Sequence, residues 1–271
     1  MSNMKLNIIN MYPDILNMYG DIGNTQCIIK RCEWRGIEVN HIVSTLGSDL
    51  SINEEDIDMV LIGGGSDNQQ SIVSKNLIAK RSKFDNYIEN DGVVLAICGS
   101  YQMLGNDYLD LNQNNIPCLE LLDINTESKP ERFIGNILIE NNLNLSPKVV
   151  VRFENHGGRT YHNYEPFGTV KLGNGNNGSD KCEGLIYKNV IGSYLHGPLL
   201  PKNPHIADYL ILQALKNKYN LDSLPSLDDN IEIKARNSIA NKLAKIQKDK
   251  EISKYWKYKK RIKDLKEYQK Q

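Results

Sequence analysis

Short apolar runs alternate with amphipathic stretches through the first hundred residues. Lys5–Asn10 (KLNIIN) and Ile37–Val43 (IEVNHIV) read as strands, and Ile57–Gly65 (IDMVLIGGG) is a third run closed by three glycines. Val93–Ile97 (VVLAI) is a fourth. Between them, Thr25–Arg35 has helical spacing and stops at Gly36, and Lys75–Asn90 forms a second helical pattern. Strands that alternate with helices predict an α/β fold built on a doubly wound, mostly parallel sheet. In such sheets ligands sit at the carboxyl ends of the strands, where Gly63–Ser66 and Cys98 both fall.

The pattern changes in the second half. Phe133–Glu140, Lys148–Gly158, Phe167–Gly175, Cys182–Asn189 and Val190–Gly197 read as short strands with Gly or Asn turns between them. They are expected to extend the sheet or to form a small antiparallel layer. Pro204–Tyr219 predicts a helix with Pro204 in its first turn. From Asp228 a Lys-rich helical pattern runs nearly to the end, with Ile239, Leu243 and Ile246 as a narrow apolar stripe.

Charge adds a boundary. The 271 residues have a net charge of zero, but Ser226–Gln271 holds 14 Lys/Arg against 7 Asp/Glu, so residues 1–225 carry −7. The asymmetry separates a domain over 1–225 from a basic helical extension over 226–271, suited to a protein partner or an anionic surface. Nucleic-acid binding has only that tail behind it and is not expected. The five cysteines form no CxxC pair, the N-terminus shows no secretory h-region, and no apolar stretch is long enough to span a bilayer. These features predict a reducing, cytoplasmic setting.

Cys98 stands between a buried strand and a helical pattern, among the small residues Ala96, Gly99 and Ser100. A sharp strand-to-helix turn needs such neighbours, and it lifts the thiol above the sheet as a nucleophile. The helix N-terminus beyond favours negative charge there, and the Gly99 N–H can face a developing oxyanion. A buried structural cysteine is the competing reading. The Gly63–Gly65 turn brings a second backbone segment to the same edge, and one of its N–H groups is a candidate second donor. No GK[ST] follows it, which argues against a phosphate-binding loop.

A thiolate needs a base. His196 directly follows the strand pattern of Val190–Leu195 and so falls at the same sheet edge. His41 lies inside a strand, His205 starts a helix and is expected at the surface, and His156 and His162 occupy the glycine-rich turn ENHGGRTYHN. No His/Cys/Asp cluster has metal-ligand spacing, so no metal is expected.

The ordered blocks YGDIGN, IGGGSDNQQ, ICGSYQMLG, TESKPERFIGN, FENHGGRTYHN and GSYLHGPLLPKN extend from Tyr19 to Asn203. Together they resemble the class I, triad-type glutamine amidotransferases of the cobyric-acid-synthase-like branch, and more closely the glutaminase subunits of lipid II isoglutaminyl synthases. The resemblance implies a flavodoxin-like fold and hydrolysis of L-glutamine by Cys98, with His196 as the base. It also implies that Arg132 holds the substrate's α-carboxylate, which suits the bidentate fork of a guanidinium, and that the N–H groups of Gly99 and of Gly64 in the Gly63–Gly65 turn receive the oxyanion. Two positions depart from the pattern. Triad amidotransferases place a glutamate two residues after the histidine, whereas Gly197 and Pro198 follow His196 here. The acid then comes from elsewhere, with Asp21 first and Glu154 second, or the site works as a dyad. Ser100 stands where glycine commonly follows the elbow.

By the same resemblance, the ammonia passes to a Mur-ligase-like, ATP-dependent subunit in a heterodimer, which amidates the D-glutamate α-carboxyl of the lipid II stem peptide. This chain shows no ATP motif, so ATP and Mg²⁺ are expected on that partner and no cofactor here. A lipid-linked acceptor implies proximity to the inner face of the membrane. The alternatives are a cobyric-acid-type amidotransferase with another acceptor, a cysteine hydrolase of the intracellular peptidase type with no use for Arg132, and a non-catalytic recruiting subunit.

Overall fold

In the computed structural model, which describes residues 4–48, 57–246 and 248, the four apolar runs become parallel neighbours in one sheet. In chain order the first half is β1 (Lys5–Met11), α1 (Ile22–Glu33), β2 (Glu38–Ser44), β3 (Met59–Ile62), α2 (Asp67–Ile78), α3 (Arg81–Glu89), β4 (Val93–Ile97) and α4 (Gly99–Met103). The second half adds β5 (Asp107–Leu109), β6 (Asn115–Ile116), β7 (Asn125–Asn141), β8 (Val149–Tyr161) and β9 (Gly168–Leu172). It continues with β10 (Cys182–Glu183), β11 (Leu185–Tyr187), β12 (Val190–Ser193), β13 (Leu195–His196) and α5 (Pro204–Tyr219).

The first sheet has the order β11-β12-β4-β3-β1-β2, parallel except for β11 at its edge. Every residue of β3 and β4 is buried, as central strands covered on both faces must be. Helix α1 packs on α5, and α2 on α4. Both β3 and β4 end at the same rim, so Gly63–Gly65 and Cys98 emerge side by side.

Two elements differ from expectation, and one open alternative is decided. The Lys75–Asn90 pattern is two helices, and the first begins at Asp67, where Ser66 and Gln69 close a capping box. Of the two places expected for the added short strands, most take the second, a layer apart from the parallel sheet. β5–β10 and β13 form a second, seven-stranded sheet dominated by the antiparallel pair β7–β8. Strand β7 also starts well before Phe133. Its ladder with β8 is interrupted between Ser128 and Phe133, so Lys129–Arg132 loop out opposite Gly157. Pro130 has no N–H to give to a ladder, which suits the interruption.

Residues 230–246 are helical. The start of this extension is tied to the larger domain by Arg31 of α1, which is 2% exposed. Its guanidinium grips Asp208 of α5 at 2.7 Å and Asp229 at 2.6–2.9 Å. Arg35 donates to Asp208 as well. Along the expected stripe Leu243 is buried and Ile246 is exposed. The expected continuation from residue 249 lies outside the described residues. No described helix is long and apolar enough to cross a membrane.

Candidate active site

The turn at Cys98 has φ 54° and ψ −106°, a conformation that L-residues avoid. Hydrogen bonds hold it there. The Cys98 N–H donates to Ser193 O of β12 at 2.7 Å, and the Ser100 hydroxyl lies 3.0 Å from the carbonyl oxygens of both Ile62 and Ile97. Ser100 therefore bridges the ends of β3 and β4, which gives the departure at that position a structural use. A Cβ at Gly99 would lie 2.5 Å from Gln70 Nε2, so glycine lets α2 approach the elbow. The result is a strained strand-to-helix turn that presents the thiol at the sheet rim.

His196 is fully buried, and its Nδ1 lies 3.2 Å from Asp21 Oδ2. Gly64 shows how tightly the groups converge. A Cβ there would lie 2.7 Å from His196 Cε1, 3.0 Å from Cys98 Cβ and 3.3 Å from Asp21 Oδ2. Three groups from three separate segments thus surround one point, and glycine alone fits between them. The Asp21 carboxylate accepts a proton held on Nδ1, which leaves Nε2 available to the thiol. Burial disfavours the imidazolium, but the neighbouring Cys98 and then the Asp21 carboxylate outweigh it and hold His196 up to about 10.

The expected oxyanion role of Gly64 needs correction. Its N–H donates to Asp21 Oδ2 at 2.9 Å and is not free for substrate. The Gly64 carbonyl accepts from Met18 N–H at 3.0 Å, which turns the N–H of Gly65, across the same trans peptide, the opposite way. Gly65 lines the cleft beside Cys98. Glu154, the second choice for the acid, accepts from the backbone N–H groups of Asn174 and Gly175 and from Asn174 Nδ2 at 2.7–3.2 Å. It holds that turn and makes no bond to the imidazole.

Cys98 opens into a cleft of about 550 Å³ whose wall includes Arg132 on the looped-out segment. Arg132 Nε and Nη2 donate to Asn155 at 2.9–3.0 Å, and Asn155 Nδ2 donates to the Tyr19 hydroxyl at 2.6 Å. The Tyr19 ring meets the His196 ring edge-on at 4.9 Å, so the cation and the base are linked through two side chains. Behind the loop, Arg159 donates to the carbonyls of Gly157 and Glu131 and lies 3.4 Å from the centre of the Phe133 ring. Sequence reasoning missed Tyr19, Asn155 and Arg159 as functional residues. Their place within the blocks YGDIGN and FENHGGRTYHN is the one signal that marks them.

The remaining histidines are not bases for Cys98. His156 belongs to strand β8 rather than to a turn, stacks on Tyr194 at 3.7 Å, and is pushed by burial down to about 3. His205 is partly buried rather than at the surface, and burial lowers it to about 4. His162 bonds to Gly184 O, and His41 is exposed on β2. Among the described residues no group of three or more His, Cys, Asp or Glu is placed to hold a metal ion.

The sequence matches the CobB/CobQ-like glutamine amidotransferase domain over residues 7–204. It is 40% identical over 214 residues to the GatD subunit of the glutamine-hydrolysing lipid II isoglutaminyl synthase of Staphylococcus aureus, across 79% of this chain and 86% of that one. The corresponding Streptococcus pneumoniae subunit is 42% identical over 229 residues, across 83% and 86% of the two chains. A cobyric acid synthase of Listeria innocua is 34% identical over 149 residues, across 52% of this chain and 28% of that one. Among solved structures, a glutamine amidotransferase of Thermotoga maritima superposes with a TM-score of 0.50 at 16% identity, across 86% and 92% of the chains. That likeness bears on the fold, and the sequence relationship carries the rest: the chain belongs to the CobB/CobQ-like glutamine amidotransferase family.

Proposed function

We propose that this chain is the glutaminase subunit of a lipid II isoglutaminyl synthase and hydrolyses L-glutamine to glutamate and ammonia. The observation that carries the reading is the convergence of Cys98, His196 and Asp21 around Gly64, with Cys98 opening into a cleft that Arg132 also lines. Arg132 takes the substrate's α-carboxylate and sets the side-chain amide over the thiolate. Cys98 Sγ attacks the amide carbon, and the carbonyl electron pair moves onto oxygen. The N–H groups of Gly99 and Gly65 receive that oxyanion, each lowering the barrier by about 3 kcal/mol. His196 Nε2 then gives its proton to the nitrogen as the C–N bond breaks, which releases ammonia and leaves a thioester. The neutral imidazole next takes a proton from water, the hydroxide attacks the thioester, and glutamate departs. Asp21 keeps the Nδ1 proton in place throughout.

Released ammonia has to be captured before it is protonated in bulk water. The names of the Staphylococcus and Streptococcus relatives support an acceptor on lipid II. In this reading a Mur-ligase-like subunit uses ATP and Mg²⁺ to activate the D-glutamate α-carboxyl, and ammonia converts it to D-isoglutamine. The pair works at the cytoplasmic face of the membrane, where the lipid-linked acceptor is presented.

Ammonia release from L-glutamine, measured with and without the ligase subunit, tests the assignment. Cys98→Ala is expected to abolish it, Arg132→Ala to raise KM, and Asp21→Asn to lower kcat roughly 100-fold through the wrong imidazole tautomer. Ammonia release by Cys98→Ala at the wild-type rate would rule the reading out.

A further inference from the structure

L-Glutamine reaches such a cleft with three recognisable groups: the carboxamide, the α-carboxylate and the α-ammonium. Cys98 and Arg132 answer the first two. Among the described residues lining the cleft, Lys129 and Arg132 are the cations and Asp67 is the single carboxylate. Lys129 Nζ is already paired with Glu127 at 2.8 Å. Asp67 is the first residue of α2, two positions beyond Gly65. Its Oδ1 accepts the Tyr108 hydroxyl at 2.6 Å, and that hydroxyl lies 2.9 Å from Ser128 Oγ. Ser128 is the last paired residue before the loop that carries Arg132. One carboxylate oxygen is therefore fixed to the strand that leads into Arg132, and Oδ2 makes no hydrogen bond among the described residues.

We propose that Asp67 is the specificity carboxylate of the cleft, with Oδ2 receiving the α-ammonium of L-glutamine while Arg132 receives the α-carboxylate. The assignment rests on the glutaminase reading above. Two opposite charges at fixed separation select a free amino acid. A glutamine whose nitrogen is acylated, as within a peptide, has lost the positive charge and brings bulk against Asp67, so the site excludes it. Simple carboxamides that lack the amine lose one of the two charged anchors.

The test is calorimetric titration of the full-length Cys98→Ala protein, which binds without turnover, with L-glutamine and with 4-carbamoylbutanoate. The second ligand has the same carboxamide and carboxylate but no amine. Adding Asp67→Asn, which keeps an oxygen for Tyr108, is expected to weaken L-glutamine binding roughly 10- to 100-fold. Binding of 4-carbamoylbutanoate is expected to stay within about 2-fold. An equal loss for both ligands would assign Asp67 a structural role and overturn the proposal, as would unchanged L-glutamine binding. Either result obtained alongside intact ammonia release by the Cys98 protein overturns this assignment alone. Failure of Cys98→Ala to bind L-glutamine at all overturns it together with the glutaminase reading.

Discussion

A methyl group at position 64 would press on the imidazole, the elbow and the acid together, at 2.7, 3.0 and 3.3 Å. Gly64→Ala must therefore push His196 or Cys98 out of line, although the Gly64 N–H is itself given to Asp21. We expect kcat to fall at least ~100-fold with KM within about 3-fold, because misplacement of reacting groups acts on the chemical step. Steady-state ammonia release reads both constants. His205 makes a separate prediction about acid. Burial lowers it to about 4, while an unfolded chain titrates near the ordinary value of about 6.5. Above that ordinary value both states are neutral at this residue and nothing is lost. As pH falls towards 4 the unfolded chain takes the proton first, so stability drops by up to about 3 kcal/mol. His205→Leu should shrink the gap between urea midpoints at pH 7 and pH 5, and an unchanged gap would refute this. At this scale the residues singled out from the sequence do lie near one another: Cys98, His196 and Asp21 meet around Gly64, and Arg132 lines the cleft onto which Cys98 opens. Sequence reading misassigned Gly64, because the partner of a backbone N–H depends on where a side chain from 43 residues upstream points.

Among the elements, the four-residue loop in β7 has the most consequence for function. It carries Arg132 over the cleft, and Arg159 pins it through two carbonyls and the Phe133 face. Arg159→Met removes those bonds and leaves a side chain of similar reach. The loop should loosen and KM for glutamine rise about 10-fold, with kcat nearly unchanged because the elbow is untouched. An equal fall in kcat would mean that Arg159 supports the catalytic groups directly. Local signals made several elements legible. Val93–Ile97 and Pro204–Tyr219 fold as read, the first as an uninterrupted apolar run and the second with proline at its N-terminus. The start of α2 was written in Ser66-Asp67-Asn68-Gln69, a capping box that periodicity alone overlooks. The bulge was not legible. It exists relative to a partner strand, and pairing across 23 to 30 residues leaves no local mark.

At the scale of the whole molecule, the site is assembled from distant segments. Asp21 follows β1, Cys98 follows β4, and His196 lies on β13 of the second sheet. The family resemblance predicted this convergence, whereas the division into two sheets depended on long-range pairings that sequence periodicity does not encode. Where the described C-terminal helix begins, Arg31 sits buried between Asp208 and Asp229. Arg31→Met would leave Asp208 and Asp229 facing each other with less compensation. Loss of one partner from a buried ion pair costs about 3–5 kcal/mol. Urea unfolding should show that loss, and limited proteolysis should cut near residue 225 faster than in the wild type; unchanged unfolding and cleavage would deny the anchor.

The central claim is that Cys98, activated by His196, attacks the glutamine side-chain carbonyl. Peptide-level mass spectrometry after exposure to the electrophilic glutamine analogue 6-diazo-5-oxo-L-norleucine tests it most directly. The account predicts one adduct, on Cys98, suppressed by excess L-glutamine and lost in His196→Ala. Labelling spread over Cys27, Cys32, Cys118 and Cys182, or labelling of Cys98 that glutamine does not protect, would contradict it.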